Sequence, residues 1–166
     1  MHTAQVKELT LEAFLPFGYY ANMIDPDTVK IGAPPVEFYR DMVQETLGSA
    51  SIVSFSICRV EKRDPVIKVS EYHSHCGEGI LPLDNDVLIH VGPATPPSAP
   101  LPVQEMQVFR VPRGTMVVLR PGTWHDAPVT VNDDPANVLI VLPERTYAND
   151  CIVVVHEKEH EIAIEP

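Results

Sequence analysis

The chain has 166 residues, the length of one domain, and 45% of them are hydrophobic, which excludes intrinsic disorder. Its 17 prolines and 8 glycines exclude a coiled coil. With 12 Lys and Arg against 23 Asp and Glu, the formal charge is −11, a surface that repels phosphate backbones and anionic lipid. No nucleic-acid and no membrane partner is expected.

Residues 1–8 lack the apolar core of a secretory signal, and the longest apolar run is the five residues Val138 to Leu142. That is far short of the roughly 18 residues of a membrane span. Thr10-Leu11-Glu12-Ala13-Phe14-Leu15 places a capping residue before good helix formers and predicts a short helix, ended by Pro16 and Gly18. A second helix is predicted from Pro35 to Leu47. Pro35 suits a first helical position, Val36, Tyr39, Val43 and Leu47 make a stripe near the 3.6 period, and Gly48 supplies a stop.

From Ser51 onward the pattern is strands and turns. Apolar runs at Ile52 to Val60, Val66 to Val69, Ile80 to Leu83, Val87 to Val91 and Met106 to Val111 come first. Met116 to Leu119, Ala127 to Val131, Val138 to Leu142 and Ile152 to Val155 follow. Asp84-Asn85-Asp86 reads as a hairpin-like turn. Short strands at this spacing predict an all-β sandwich or barrel. Gly92 to Pro102 holds five prolines and reads as a long surface loop joining two halves of one barrel. The expected organisation is one domain over 1–166, with a helical or extended arm at 1–50 and the β-barrel at 51–166. Cys58, Cys76 and Cys151, an odd number without a CxxC pair, are expected as reduced thiols in a cytoplasmic protein.

Two local features carry chemistry. In Glu71-Tyr72-His73-Ser74-His75-Cys76-Gly77-Glu78, strand alternation lets Glu71, His73 and His75 share a face. Imidazole and carboxylate together suit Zn, Mn, Fe or Ni. In Arg120-Pro121-Gly122-Thr123-Trp124-His125-Asp126, a turn delivers His125 at the start of another strand. Trp124 reads as a rim packing residue whose ring could also wall a pocket, Cys76 as a buried, inert thiol and His90 as a packed histidine. His156-Glu157-Lys158-Glu159-His160 matches HExxH, but that motif needs a helix, and here it follows the strand-like Ile152 to Val155. It reads as a polar turn between two terminal strands.

Together the two features resemble the motifs of the cupin superfamily. His73-x-His75 followed by Glu78 resembles the first motif, and Gly114, Gly122 and His125 have the spacing of the second, with the proline at Pro121. The resemblance implies a small β-barrel, of the double-stranded β-helix or jelly-roll type, in which His73, His75, Glu78 and His125 surround one divalent metal. Glu71 is the natural substitute for Glu78.

Leu9-Thr10-Leu11-Glu12-Ala13-Phe14-Leu15-Pro16-Phe17-Gly18, the Glu71-x-His73 segment and Gly122-Thr123-Trp124-His125 are similar to the ureidoglycolate lyase family, a cupin branch. That resemblance implies a homodimeric enzyme of purine and allantoin catabolism. Its substrate is a small α-hydroxy carboxylic acid carrying a urea nitrogen on the same carbon. The implied chemistry is elimination from a hemiaminal, with Glu71 or Glu78, whichever is not a ligand, as base. Asp126 is the candidate acid, Arg120 the candidate carboxylate clamp and Trp124 a candidate pocket wall. The alternatives are a metal-dependent dioxygenase, an isomerase of a keto-sugar acid, and a barrel that binds a small acid without chemistry.

Overall fold

The computed structural model describes residues 2–166. Its first sheet has the order β12 (Val129–Thr130), β9 (Val87–Val91), β10 (Gln107–Val111), β1 (His2–Glu8), β15 (Ile162–Glu165) and β6 (Val66–Ile67). Its second has the order β2 (Gly18–Asn22), β11 (Thr115–Leu119), β8 (Glu78–Pro82), β13 (Ala136–Pro143) and β5 (Val53–Val60). Two smaller pairs complete the strands: β7 (Val69–Tyr72) with β14 (Ile152–Val155), and β3 (Lys30–Ala33) with β4 (Val36–Tyr39). The predicted mainly-β architecture is what forms, as two facing sheets.

Alternation builds the core between the two sheets. Ile80, Val117, Leu119, Val138 and Ile140 point inward from the second sheet. Val87, Ile89, Phe109 and Val111 answer from the first. Phe14 is wholly buried and meets the Phe109 ring edge-on, with centroids 5.4 Å apart. Each such burial is worth about 1.5–3 kcal/mol against exposure. A second apolar cluster of Val108, Ile162, Ile67 and Trp124 covers the back of the first sheet.

The first 50 residues differ from the reading above. The helix at Thr10 to Leu15 forms as the single turn α1 (Leu11–Phe14), with the Thr10 hydroxyl accepting from the Ala13 amide. The helix at Pro35 to Leu47 does not form; β3 and β4 make a hairpin there instead. Val36, Phe38 and Tyr39 are β-branched or aromatic and fit a period of two as well as one of 3.6, so the pairing partner decides. β1 runs parallel to both β10 and β15, and β2 forms one edge of the second sheet, so this segment supplies strands to both sheets. Asp84-Asn85-Asp86 is not a hairpin turn: β8 and β9 lie in different sheets, and the three residues form the corner between them. Asp84 accepts from the Asn137 backbone and side-chain amides, and Asp86 from the Arg113 amide and the Arg110 guanidinium.

Candidate metal centre

Three pieces of chain meet at one end of the core. β7 carries Glu71, the loop after it carries His73, and β8 opens with Glu78. The segment after the Pro121-Gly122 turn closes on them. There the Glu71 amide donates to the His125 carbonyl at 2.6 Å, and the His125 amide returns to the Glu71 carbonyl at 2.8 Å. The Gly122 amide donates to the His73 carbonyl at 2.7 Å, and Gly122 has φ +82°, a left-handed conformation that glycine adopts without strain.

The side chains converge on one point. His73 Nε2 lies 3.0 Å and His125 Nε2 2.9 Å from the same oxygen, Glu78 Oε2. All three residues are buried, at 2%, 3% and 6% exposure. Each imidazole is oriented through its other nitrogen: His73 Nδ1 donates to the Asp150 carbonyl at 2.6 Å, and His125 Nδ1 to the Thr123 carbonyl at 2.8 Å. With Nδ1 fixed as the protonated nitrogen, each Nε2 directs a lone pair or a second proton at Glu78. A bare lone pair against a carboxylate oxygen is repulsive, and two protons would put two imidazolium ions at a 5.2 Å ring separation beside one carboxylate. A divalent cation at this focus relieves both problems. Donor atoms of Glu71, His73, Glu78 and His125 lie within 4.8 Å of one another, so the donor set suits such an ion.

Without an ion the charges arrange themselves as a pair. Burial alone would raise the Glu78 carboxyl, but the His125 charge and the two histidine hydrogen bonds outweigh it and hold the group low. Burial alone would likewise lower His125, and Glu78 overrides it, raising the ring to about 9.

Several neighbours carry no local signal in the sequence. Asp150 and Cys151 arrive through the pairing of β14 with β7. Cys151 Sγ donates to Glu71 Oε2 at 3.1 Å; burial, then that bond and the Glu71 charge, push the thiol up to about 12. Tyr147, in the one-turn helix α2 (Thr146–Asn149), stands edge-on to His73 with ring centroids 6.5 Å apart.

The remaining predicted residues are placed as follows. His75 does not join the cluster. β7 ends at Tyr72, so the alternation that would align His75 with Glu71 is already broken. Asp150 then accepts from the Ser74 and His75 amides at 2.8 Å and from His75 Nδ1 at 3.2 Å, which holds the 81% exposed side chain outward. Arg120 is turned to the N-terminal segment, where it bonds the Leu15 carbonyl and stacks 4.5 Å over the Tyr19 ring. Asp126 lines a separate cleft of about 200 Å³ with Arg63, His90 and Val129. Burial does raise its carboxyl, as an acid role requires, but Asp126 is not among the converging donors. Trp124 is buried against Tyr72, ring centroids 4.5 Å apart, and donates from Nε1 to the Thr95 hydroxyl, the packing role.

Cys76 is buried and its thiol is pushed up to about 11, chiefly by burial. His90 is packed, its Nε2 2.9 Å from the Ser70 hydroxyl. His156 to His160 is not an α-helix; a 3-10 turn covers Lys158 to His160, and His156 Nδ1 bonds the His160 carbonyl at 3.1 Å. The three cysteines are free thiols.

The chain belongs to the ureidoglycolate lyase family, which it matches over residues 1–163. No curated protein matches it. Among solved structures it is similar to dTDP sugar isomerase from Desulfovibrio desulfuricans G20, at 14% identity and a TM-score of 0.52, over 87% of this chain and 89% of that one. The Lactobacillus farciminis oxalate decarboxylase formate complex matches at 17% identity and a TM-score of 0.43, over 60% of this chain. This chain spans only 26% of that decarboxylase's length. At 14% identity the isomerase likeness speaks for the fold alone.

Proposed function

We propose that this member of the ureidoglycolate lyase family is a metal-dependent lyase of the amidine-lyase type. Its substrate class is a small α-hydroxy carboxylic acid bearing a ureido group, as in purine and allantoin catabolism. The observation that carries the metal is the convergence of His73 Nε2 and His125 Nε2 on Glu78 Oε2, with both Nδ1 atoms committed to backbone carbonyls. His73, Glu78 and His125 are the proposed ligands. A divalent ion held there, Zn, Mn, Fe or Ni, would supply Lewis acidity to a substrate carboxylate and hydroxyl.

Glu71 is then the remaining carboxylate at the cluster and the proposed base. It takes the proton from the substrate hydroxyl, the carbon–nitrogen bond breaks, and Glu71 returns that proton to the departing urea nitrogen. The products are a 2-oxo acid and urea, and the balance needs no further reactant. Cys151 fixes the Glu71 carboxylate through its thiol hydrogen bond. Arg120 is bonded to the N-terminal segment and Asp126 lines the neighbouring cleft, so neither carries a step of this reaction. The chain is read as one cupin unit, cytoplasmic and homodimeric.

The test is urea release from ureidoglycolate by metal-loaded protein, alongside elemental analysis. Glu71→Gln is expected to keep its metal and lose at least a hundredfold in kcat, and His125→Ala to lose both metal and activity. Wild-type turnover surviving in Glu71→Gln overturns the base assignment. Full metal content in His125→Ala overturns the metal centre.

A further inference from the structure

Two of the exposed apolar surfaces of this chain have the form of a surface built to be covered. The first is one face of the β3–β4 hairpin. Ile31 pairs directly with Phe38 and Ala33 with Val36, so these side chains share a face. Ile31, Val36 and Phe38 are 57%, 73% and 62% exposed. The opposite face is polar: Lys30 is ion-paired with Glu37, whose carboxylate also accepts from the Tyr39 hydroxyl at 3.3 Å. A lone two-stranded hairpin is marginal in water, so one with a solvent-facing apolar side needs a seat.

The second is the outer face of the five-stranded sheet at β5. There the usual alternation is inverted. Ser54 and Ser56 lie opposite the buried Leu142 and Ile140, on the core side, while Val53, Phe55 and Ile57 point outward. Phe55 is 68% and Ile57 57% exposed, and they sit beside Val141 and Leu139 on the same face. An edge strand that presents its apolar side to water is an interface or a liability.

We propose that the two surfaces are complementary halves of one interface, the hairpin of one copy seating on the outer β5 face of a second copy and the reverse. A two-fold arrangement of this kind closes both bare surfaces at once. Val29, Ile31, Val36, Phe38, Val53, Phe55 and Ile57 are 37–73% exposed, and their full burial on both copies would remove on the order of 1,400 Å², within the range of stable interfaces. Charge selects the occupant too. Two chains of −11 repel, and these seven side chains carry no charge, so contact here costs least.

The exchange also bears on the metal centre. The chain leaving the hairpin runs to the loop between His73 and Glu78, where the Thr46 carbonyl accepts from the Gly77 amide at 2.7 Å. A seated hairpin therefore braces that loop.

The inference rests on the homodimer proposed above, and the experiment separates the two. Light scattering after size exclusion gives the mass of wild type, Phe38→Lys, Phe55→Lys and the control Val155→Lys, which is 73% exposed on β14. Thermal melts verify folding of each. The expected result is a wild-type dimer, a control dimer, and a dimer weakened at least tenfold to monomer in both Phe38→Lys and Phe55→Lys. A wild-type monomer overturns the homodimer and this interface together. A dimer that survives both substitutions overturns the interface alone. Loss in Phe38→Lys only points to hairpin against hairpin, loss in Phe55→Lys only to sheet against sheet, and either outcome overturns the exchange.

Discussion

Loading the centre with a divalent ion must expel the proton that His125 shares with Glu78. In the metal-free chain Glu78 raises His125 from 6.5 to about 9 against the effect of burial. At about 1.4 kcal/mol per unit, that is about 3 kcal/mol of proton binding which an incoming ion displaces. Below pH 9 the apparent affinity for the ion is therefore expected to rise about tenfold per pH unit, and to level off above it. Glu78, held at about 2, is ionised throughout and adds no slope.

Isothermal titration with Zn²⁺ or Mn²⁺ at pH 7, in two buffers of different ionisation enthalpy, is expected to show about one proton released per ion from His125. Equal heats in both buffers with no pH slope between 7 and 9 would refute the reasoning, since His125 would then be neutral or no ligand. The same shifts shape the stability of the metal-free fold. The raised His125 contributes fully below 6.5 and loses its contribution as pH rises through about 9. The lowered Glu78 contributes fully above 4.5 and loses its contribution as pH falls toward about 2. Metal-free stability from this pair is thus greatest between 4.5 and 6.5, which a series of thermal melts checks.

Other outcomes follow from single contacts. His75→Ala is expected to keep full metal content, because its exposed ring is held outward by Asp150 and is not among the converging donors. Asp150→Ala releases the Ser74 and His75 amides and is expected to weaken ion binding about tenfold through the freed His73 loop, read by competition with a chelating dye. Glu45 packs over Gly79 with one carboxylate oxygen buried and unpartnered, and burial followed by the Glu78 charge raises it to about 7. Its ionised form therefore costs stability above pH 7 and not below the unfolded value of 4.5. Glu45→Gln is expected to raise Tm at pH 8 by the equivalent of about 1 kcal/mol, discounted for partial exposure, and to leave it unchanged at pH 4. Phe109→Ala is expected to cost about 3–5 kcal/mol in urea unfolding, since Phe109 is wholly buried against Phe14 and Phe17.

The residues legible in the sequence are those whose setting is local. The strands from β5 to β14 show in their own apolar runs, and His125 shows because a Pro-Gly turn must deliver whatever follows it. Glu71-x-His73 shows because alternation fixes two residues on one face. That inference fails one step later at His75, since β7 ends at Tyr72 and a bonded partner 75 residues away takes over the loop. β1 had no readable partner in the sequence, because its two parallel neighbours, β10 and β15, lie about 100 and 160 residues further on. Cys151 and Glu45 are invisible for the same reason: each reaches its place through a pairing or crossing made far away in the chain.

That division bears on where specificity resides. The ligands are fixed by groups that any side chain could accompany: the backbone carbonyls of Thr123 and Asp150 orient the two imidazoles, and the Glu71–His125 bridge sets their separation. Substitution at Thr123 leaves its carbonyl present, whereas Asp150 holds the site twice, through its carbonyl on His73 and its carboxylate on the Ser74 and His75 amides. The wall around it is different. Tyr147, 62% exposed, stands beside His73, and partial burial followed by the Glu78 and Glu71 charges pushes its phenol up to about 12. It stays a neutral hydrogen-bond donor at any working pH, at the edge of the carboxylate and imidazole cluster. In the proposed reaction, a substrate oxygen entering beside Tyr147 would meet that donor. In the proposed reaction, discrimination among small acids is assigned to the segment 144–151, and the chemistry to β7, β8 and the turn before His125.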